Sequence, residues 1–568
     1  MTQRPTDSYD YIVAGAGAAG CALAARLAED SSTRVLLVEA GGAGRSPFIA
    51  MPAGNGFIFG NPAYDWGYVS APQAGLDGRC ITYPRGRALG GSTIMNGMIY
   101  IRGNRRDFDD WHARGLRGWS YADVLPYFRR AEGSQHRKDA WHGTEGPLRT
   151  CAAANYTALD HLFVGAARQA GFPLNEDFNG ASQNGVGRVD VTVAGGRRQS
   201  AARAYLASRP ANLHIRTGAH VTGVEIEAGQ ARAVRINTRR GGERIVATRE
   251  IALCLGSFAT PQVLMLSGVG PAAHLREHGI RIHADLPGVG SGLADHINMP
   301  MQYRCLDPEL SFARYQRLDR ALWLGARWFL ARSGPGAAPF WSTCLFDAHS
   351  GIGRPDTQVF FTPMVVKEAR DEDDTDDSTL LDRLGRRILV RGAKKAVSGF
   401  QFDINQMHPE GRGEVRLVTT DPMRPPRIDP RYFSGEREMR VLIEAVRRAR
   451  DLAAQAAFDG VRGKELSPGL DCRSDAEIAV AIRRLATTGH HPVGTCRMGT
   501  ATDPDAVVDD ALRVRGIRNL RICDASVFPD QITGNPNAAI TMIAEKAADM
   551  ILGRPPLPAA TLAAENTP

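Results

Sequence analysis

Between two short apolar runs near the start of the chain lies Gly15-Ala16-Gly17-Ala18-Ala19-Gly20, a G-x-G-x-x-G turn. The run before it, Tyr11-Ile12-Val13-Ala14, has the unbroken apolar character of a buried parallel strand, and Arg34–Val38 reads the same way. The small residues Ala22, Leu23, Ala25, Leu27 and Ala28 between them suit a helix packed closely on a sheet. Few folds accept this order of strand, glycine turn, helix and strand. Gly15 permits the tight turn, Gly17 lets a pyrophosphate approach the backbone, and Gly20 lets helix and strand touch. Ala18 and Ala19 open the helix, whose free N–H groups and positive dipole end suit phosphates. Glu39 follows Gly20 by 19 residues. There an acid accepts the hydroxyls of an adenosine ribose, with Ala40 beside it. A carboxylate at that place repels a 2′-phosphate, so NADP is disfavoured. The motif does not separate FAD from NAD.

The chain has 568 residues, enough for two or more domains, and its 43% hydrophobic and 23% charged residues are globular proportions. Its 69 basic and 61 acidic residues leave a net charge of +8, too small an imbalance to indicate a nucleic-acid partner. The nine cysteines are scattered, with no C-x-x-C pair, so neither a disulfide framework nor a metal site is expected. Met1–Asp10 is polar and runs into the first strand without the pattern of a signal peptide. No apolar run approaches the ~20 residues of a membrane span. A cytoplasmic protein is expected. Peripheral contact with a membrane, and the oligomeric state, stay open.

Two further segments narrow the cofactor. Gly86-Arg87-Ala-Leu-Gly90-Gly91-Ser92-Thr93-Ile-Met95-Asn96, continuing through Gly97 and Met98, resembles the first signature of the glucose–methanol–choline (GMC) flavoprotein oxidoreductases. Gly256-Ser257-Phe-Ala-Thr260-Pro261 and the residues to Gly270 resemble the second. His491-Pro-Val-Gly494-Thr495 is similar to the family's active-site histidine segment, and Asp524-Ala525-Ser526 and Asn535-Pro536-Asn537 to its closing flavin contacts. The resemblance implies FAD, an α/β architecture with a discontinuous Rossmann-type FAD-binding domain, and a second, substrate-binding domain built on an antiparallel sheet. The FAD domain is expected over 1–150, 191–297 and 481–568, the substrate domain over 151–190 and 298–480. Val221 is expected to meet the adenine through its backbone, Gly256 to lie beneath the phosphates, and Asn96, Gly97 and Met98 to lie near the isoalloxazine. Trp66, in the aperiodic stretch Pro47–Gln73, is the aromatic expected to face the flavin. Some family members attach the flavin through a histidine just before the asparagine of the first signature. Met95 stands there, and a thioether cannot form that bond, so noncovalent FAD is expected.

The resemblance places His491 as the base, because a histidine's reference pKa lies close to operating pH, and leaves His490 pointing elsewhere if the segment is extended. Asn535, an amide, cannot act as a base but can hold the alcohol oxygen. The implied reaction is oxidation of a primary alcohol to an aldehyde with hydride transfer to flavin N5. A dehydrogenase serving a quinone or another carrier is favoured over an oxygen-using oxidase. A lyase with structural FAD is the alternative from another class. Choline-type substrates need an acid or an aromatic cage; aryl, aliphatic and polyether alcohols are equally open. Phe400–Ile404 and Gly413–Leu417 read as half-buried strands, Met439 to Leu452 as an amphipathic helix, and the tail after Arg554 as frayed. The acidic run Asp371–Asp377 and the basic residues after it read as a solvated excursion.

Overall fold

A computed structural model describes residues 8–366 and 397–562, the side chain of Leu318 excepted. The acidic run lies outside the described residues.

The expected buried strands form the centre of a seven-stranded sheet. Ser8–Ala14 lies between Val35–Val38 and Gly241–Leu253, parallel to both, and Leu213–Arg216 extends the parallel side. Ile12, Val13, Ala14 and all four residues of Val35–Val38 are buried, as strands covered on both faces must be. Gly241–Leu253 changes partner along its length. Its first half pairs antiparallel with Gln230–Thr238, and its last three residues pair parallel with Leu520–Ile522. The antiparallel hairpin is completed by His220–Glu227.

Four of the motif segments are the direct continuations of these parallel strands. Gly15 follows Ala14, Glu39 follows Val38, Cys254-Leu255-Gly256 follow Leu253, and Cys523-Asp524 follow Ile522. Parallel strands end at one edge, so segments hundreds of residues apart in sequence meet there. The N-terminal helix Ala18–Leu27 packs in turn against the C-terminal helix Asn537–Leu552. At that contact Glu545, fully buried, binds Arg26 and Arg130 at 2.8 Å each and accepts from the Tyr205 hydroxyl at 2.7 Å.

The second sheet has seven strands. Arg462–Ser467, Ile297–Cys305, Gly399–Gln406, Thr357–Thr362, Thr343–Asp347 and Gly185–Arg188 follow one another antiparallel, and Thr487–Thr488 adds a short edge. One face carries an aromatic core in which Phe400 stacks on Phe458 at 5.0 Å and Phe163 on Phe361 at 4.9 Å. The helix Glu436–Ala453 covers that face with Leu442, Ala445, Val446, Ala449 and Leu452; Met439 and Ile443 lie at its partly buried margin.

Two expectations need correction here. Gly399–Gln406 is not half-buried, because its polar face is also covered: Gln401, Asp403 and Asn405 turn into a large internal cavity and not into solvent. The C-terminal tail is docked as far as it is described. Leu557 N donates to the Tyr127 hydroxyl at 3.0 Å, Ala560 N donates to Ala122 O at 2.9 Å, and Leu557 and Leu562 pack against the core.

Removing the Glu545 carboxylate leaves two arginines facing a buried space. Glu545→Ala is expected to cost roughly 3 kcal/mol, read as a lower urea midpoint with an unchanged m value. An unchanged midpoint would show that the two helices hold together by apolar packing alone.

Candidate active site

The cavity lies between the two sheets, lined by residues of both, with a volume of about 2330 Å³. That exceeds the ~300–1,000 Å³ of a drug-sized ligand site, so a dinucleotide and a second small molecule fit together. Gly15, Gly17, Ala18, Ala19, Glu39, Ala40, Trp66, Gly91, Ser92, Asn96, Gly97, Met98, Val221, Gly256, Asp524, Ala525, Asn535, Pro536 and Asn537 all line it, as does His491. Arg87, Gly90 and Gly20 are expected contacts that stand behind the wall. Gly90 is tied by its N–H to Ala16 O at 2.8 Å. A Cβ on Gly20 would lie 1.8 Å from Gly15 O, so this position serves helix–strand contact.

The residues present fit FAD. A Cβ on Gly17 would meet nothing within 4 Å, so the backbone here faces open cavity. Gly17 caps the helix Ala18–Leu27 without any side-chain bond to its free N–H groups. Those groups are left for an anion. Glu39 reaches the same space while accepting from Ala16 N at 3.1 Å and Gly41 N at 2.7 Å. Burial pushes its carboxyl up to about 7 despite these donors. Arg85 lines the cavity, and its Nε and Nη2 are buried without a partner.

Trp66 lines the cavity. Its ring lies 5.5 Å from His220 and 6.0 Å from Tyr68, with the Arg87 guanidinium 4.9 Å above it. His220 adjoins Val221, so Trp66 packs beside the strand His220–Glu227. Asp524, also on the cavity wall, has a structural part of its own. Its carboxylate accepts from Gly256 N, Thr260 Oγ1, Ser526 N and Ser526 Oγ at 2.6–2.8 Å. With these four donors it fastens the start of the helix Gly256–Leu266. Asn96 is held from behind by Arg198, which the sequence reading missed. Arg198 Nη1 donates to Asn96 O at 2.6 Å and to Asn96 Oδ1 at 2.9 Å. No carboxylate pairs with Arg198 among the described residues, and burial lowers its guanidinium to about 9.

At the other end of the cavity His491 Nε2 lies 3.1 Å from Asn535 Nδ2, and His491 Nδ1 lies 2.9 Å from His296 Nδ1. Hydrogen-bond logic settles the tautomers. His296 Nε2 faces two carbonyl oxygens, of Met407 at 3.1 Å and Ile532 at 3.0 Å. Carbonyls only accept, so Nε2 carries the hydrogen. Burial lowers His296 to about 3, so it is neutral and its Nδ1 is a bare acceptor. His491 Nδ1 must then donate, which leaves His491 Nε2 as the lone pair, turned towards the amide of Asn535. Burial first, then His296, His490 and Arg85, hold His491 well below the usual histidine range. Asp295 fixes the backbone by accepting from His491 N at 2.7 Å. Gln358 Nε2, 3.4 Å from Asn535 Oδ1, orients the amide.

His490 points away, but for a different reason than an extended segment. Its φ of 66° is left-handed, a strained conformation for histidine. Its ring faces Phe59 at 6.4 Å. Asp295 and His296 went unnoticed in the sequence. An Asp-His pair opening an apolar strand was their one signal.

The sheet above this pair is ordered in rungs. Asn298, Asn405 and Gln358 share the rung that meets Asn535; Pro300, Asp403 and Phe360 share the next. Two residues along a strand span about 7 Å. Asp403 accepts from Thr362 Oγ1 at 2.8 Å and from Gln401 Nε2 at 2.5 Å. No cation pairs with it among the described residues. Phe360 clusters with Trp341, Met98 and Ile99, and Trp341 lies against Gly97.

GMC oxidoreductase family models match residues 9–298 and 409–544. An oxygen-dependent choline dehydrogenase of Brucella ovis is 40% identical over 552 residues, 96% of each chain. Among solved structures, pyridoxine 4-oxidase from Mesorbium loti superposes with a TM-score of 0.84 at 31% identity, covering 96% of this chain and 99% of its own. A formate oxidase of Aspergillus oryzae RIB40 gives a TM-score of 0.86 at 25% identity, covering 97% and 99%.

Met95, buried and lining the cavity, stands at the attachment position. Acid or heat denaturation is expected to release all the yellow colour as intact FAD. Colour left in the pellet, or an intact mass raised by one flavin, would show a covalent bond.

Proposed function

The chain belongs to the GMC oxidoreductases, FAD-dependent enzymes that act on alcohols, and we propose that it oxidises a primary alcohol bearing a cationic group, choline or a close analogue, to the aldehyde. The observation that carries this reading is the unprotonated Nε2 of His491 beside the Asn535 amide. When bound, FAD supplies the hydride acceptor at flavin N5. The protein's own residues supply the rest. His491 Nε2 takes the hydroxyl proton, and Asn535 Nδ2 donates to the alcohol oxygen as it gains charge. His296 keeps His491 in the one tautomer able to do this.

Asp403 supports the substrate class. It is an unpaired carboxylate one rung from the rung that meets Asn535, on the same rung as Phe360 and bonded to the Trp341 indole. A cavity-lining carboxylate with no cation beside it among the described residues suits an ammonium group, with the aromatic faces beside it. The name of the Brucella ovis relative supports this class, and it also supports oxygen as acceptor beside the carrier expected from the resemblance. Peroxide formed during aerobic turnover, or the need for an added carrier, separates the two.

His491→Ala is expected to keep FAD and to slow flavin reduction by ~10²–10⁴-fold. His296→Phe should lose more of the reduction rate than His296→Asn, which still offers an acceptor. Because His491 acts unprotonated and its folded pKa is lowered, kcat/KM should stay level through neutral pH. It should fall only as pH drops below the ordinary histidine value of about 6.5. Near-normal reduction in His491→Ala would overturn the assignment. Anaerobic turnover that leaves the flavin oxidised would indicate a lyase.

Choline should bleach the flavin under anaerobic conditions at least tenfold more efficiently than its neutral isostere, 3,3-dimethylbutan-1-ol. Asp403→Asn should erase that preference by removing the charge that attracts the ammonium. Equal efficiency for the two alcohols in the unaltered protein would refute the cationic class while leaving His491 untouched.

A further inference from the structure

The helix Leu318–Ala331 carries an apolar ridge that nothing in the described structure covers. Leu330 is 85% exposed, Leu322 62%, Phe329 60% and Trp323 49%. Single exposed apolar side chains are ordinary, but four on one helix of 14 residues are not. The helix is held on its other side by Trp328, which is buried and donates its indole N–H to Gly196 O at 2.7 Å.

Arginines surround the ridge. Arg320 pairs with Glu309 and Arg317 with Asp319. Arg327 and Arg332 have no carboxylate partner among the described residues. They lie over the helix's own aromatics instead, Arg327 5.2 Å from the Trp323 ring and Arg332 4.2 Å from that of Trp328. Arg197 and Arg203 extend the charge. Burial, and then repulsion from Arg197 and Arg332, holds the Arg203 guanidinium below its usual range. Neither Arg197 nor Arg203 meets an acid among the described residues.

The patch continues beyond the helix. The turn Pro52–Phe57 packs against Pro335–Ala337, just after Arg332, and Phe48 and Phe57 stack at 4.3 Å, exposed to 39% and 47%. Phe48, Phe57, Leu322, Phe329 and Leu330 also line the mouth of the active-site cavity. No helix among the described residues is long and apolar enough to cross a membrane.

We propose that this face docks on an anionic phospholipid bilayer, with Trp323, Leu322, Phe329 and Leu330 entering the interface and Arg197, Arg203, Arg327 and Arg332 meeting the headgroups. An apolar ridge flanked by unpaired arginines is the pattern of a helix lying in the membrane plane. Charge complementarity selects the bilayer over a second copy of the chain, because two such faces would bring eight unpaired arginines together. Docking in this way turns the cavity mouth towards the lipid.

The test is co-sedimentation of the FAD-loaded protein with vesicles of phosphatidylcholine, with and without phosphatidylglycerol. Binding is expected to the anionic vesicles only, and to weaken with salt. Trp323→Asn combined with Arg327→Glu should weaken it tenfold or more. Neither residue lines the cavity, so flavin reduction by a soluble alcohol should be unchanged. The single variant Arg327→Glu should weaken binding in the same direction, and serves if the double variant folds poorly. Three results would overturn the proposal: no binding to anionic vesicles, equal binding by the variants, or a doubled mass in light scattering that the variants abolish. The last would make this face a contact between two copies.

Discussion

The chemistry of this protein depends on one geometric fact, that four parallel strands end at the same edge. Ala14, Val38, Leu253 and Ile522 bring Gly15, Glu39, Gly256 and Asp524 to one line. A parallel sheet cannot do otherwise, because its strands all present their carboxyl ends on one side. The long strand Gly241–Leu253 makes the arrangement possible by exchanging its antiparallel partner for Leu520–Ile522 partway along. The C-terminal segment is thereby placed beside the N-terminal turn, and the buried Glu545 with its two arginines holds it there.

The catalytic end depends on a smaller constraint, the direction of one hydrogen. A buried histidine is neutral, which is what a base requires, but a neutral imidazole offers its lone pair at only one nitrogen. Two backbone carbonyls fix the tautomer of His296, and His296 fixes that of His491. The neighbouring Asp295 holds the His491 backbone in place. A pair of adjacent residues before one strand thus controls both the position and the tautomer of His491. The left-handed turn at His490 lets two successive histidines face different ways.

The glycine turn and the acid after the second strand were legible because their residues are constrained locally. Gly20 must lack a side chain for helix and strand to touch, and Glu39 must follow the second strand. Both requirements appear as spacings. The neighbours of Trp66 and Asp524 were not legible, because they depend on what folding places beside them. Trp66 is packed between Arg87 and His220, and Asp524 binds Gly256, which lies 268 residues away in the chain. Arg198 and His296 left almost no trace, since one buried arginine or histidine in a long chain resembles any other.

The polar face of the second sheet shows the same division. Gln401, Asp403 and Asn405 alternate with Phe400, Phe402 and Ile404, and the sequence alone determines that alternation and so the existence of a two-faced strand. It likewise determines the dinucleotide turn, the two buried strands beside it and the His491–Asn535 pairing by motif. Only the tertiary structure decided that the polar face lines the cavity between the two sheets. Only it placed Asp403 one rung from the rung that meets Asn535, and gave His491 its tautomer. The physical reason is range: periodicity and glycine spacing record contacts within a few residues, whereas a carboxylate's partners and a ring's hydrogen are set by groups brought together from across the chain.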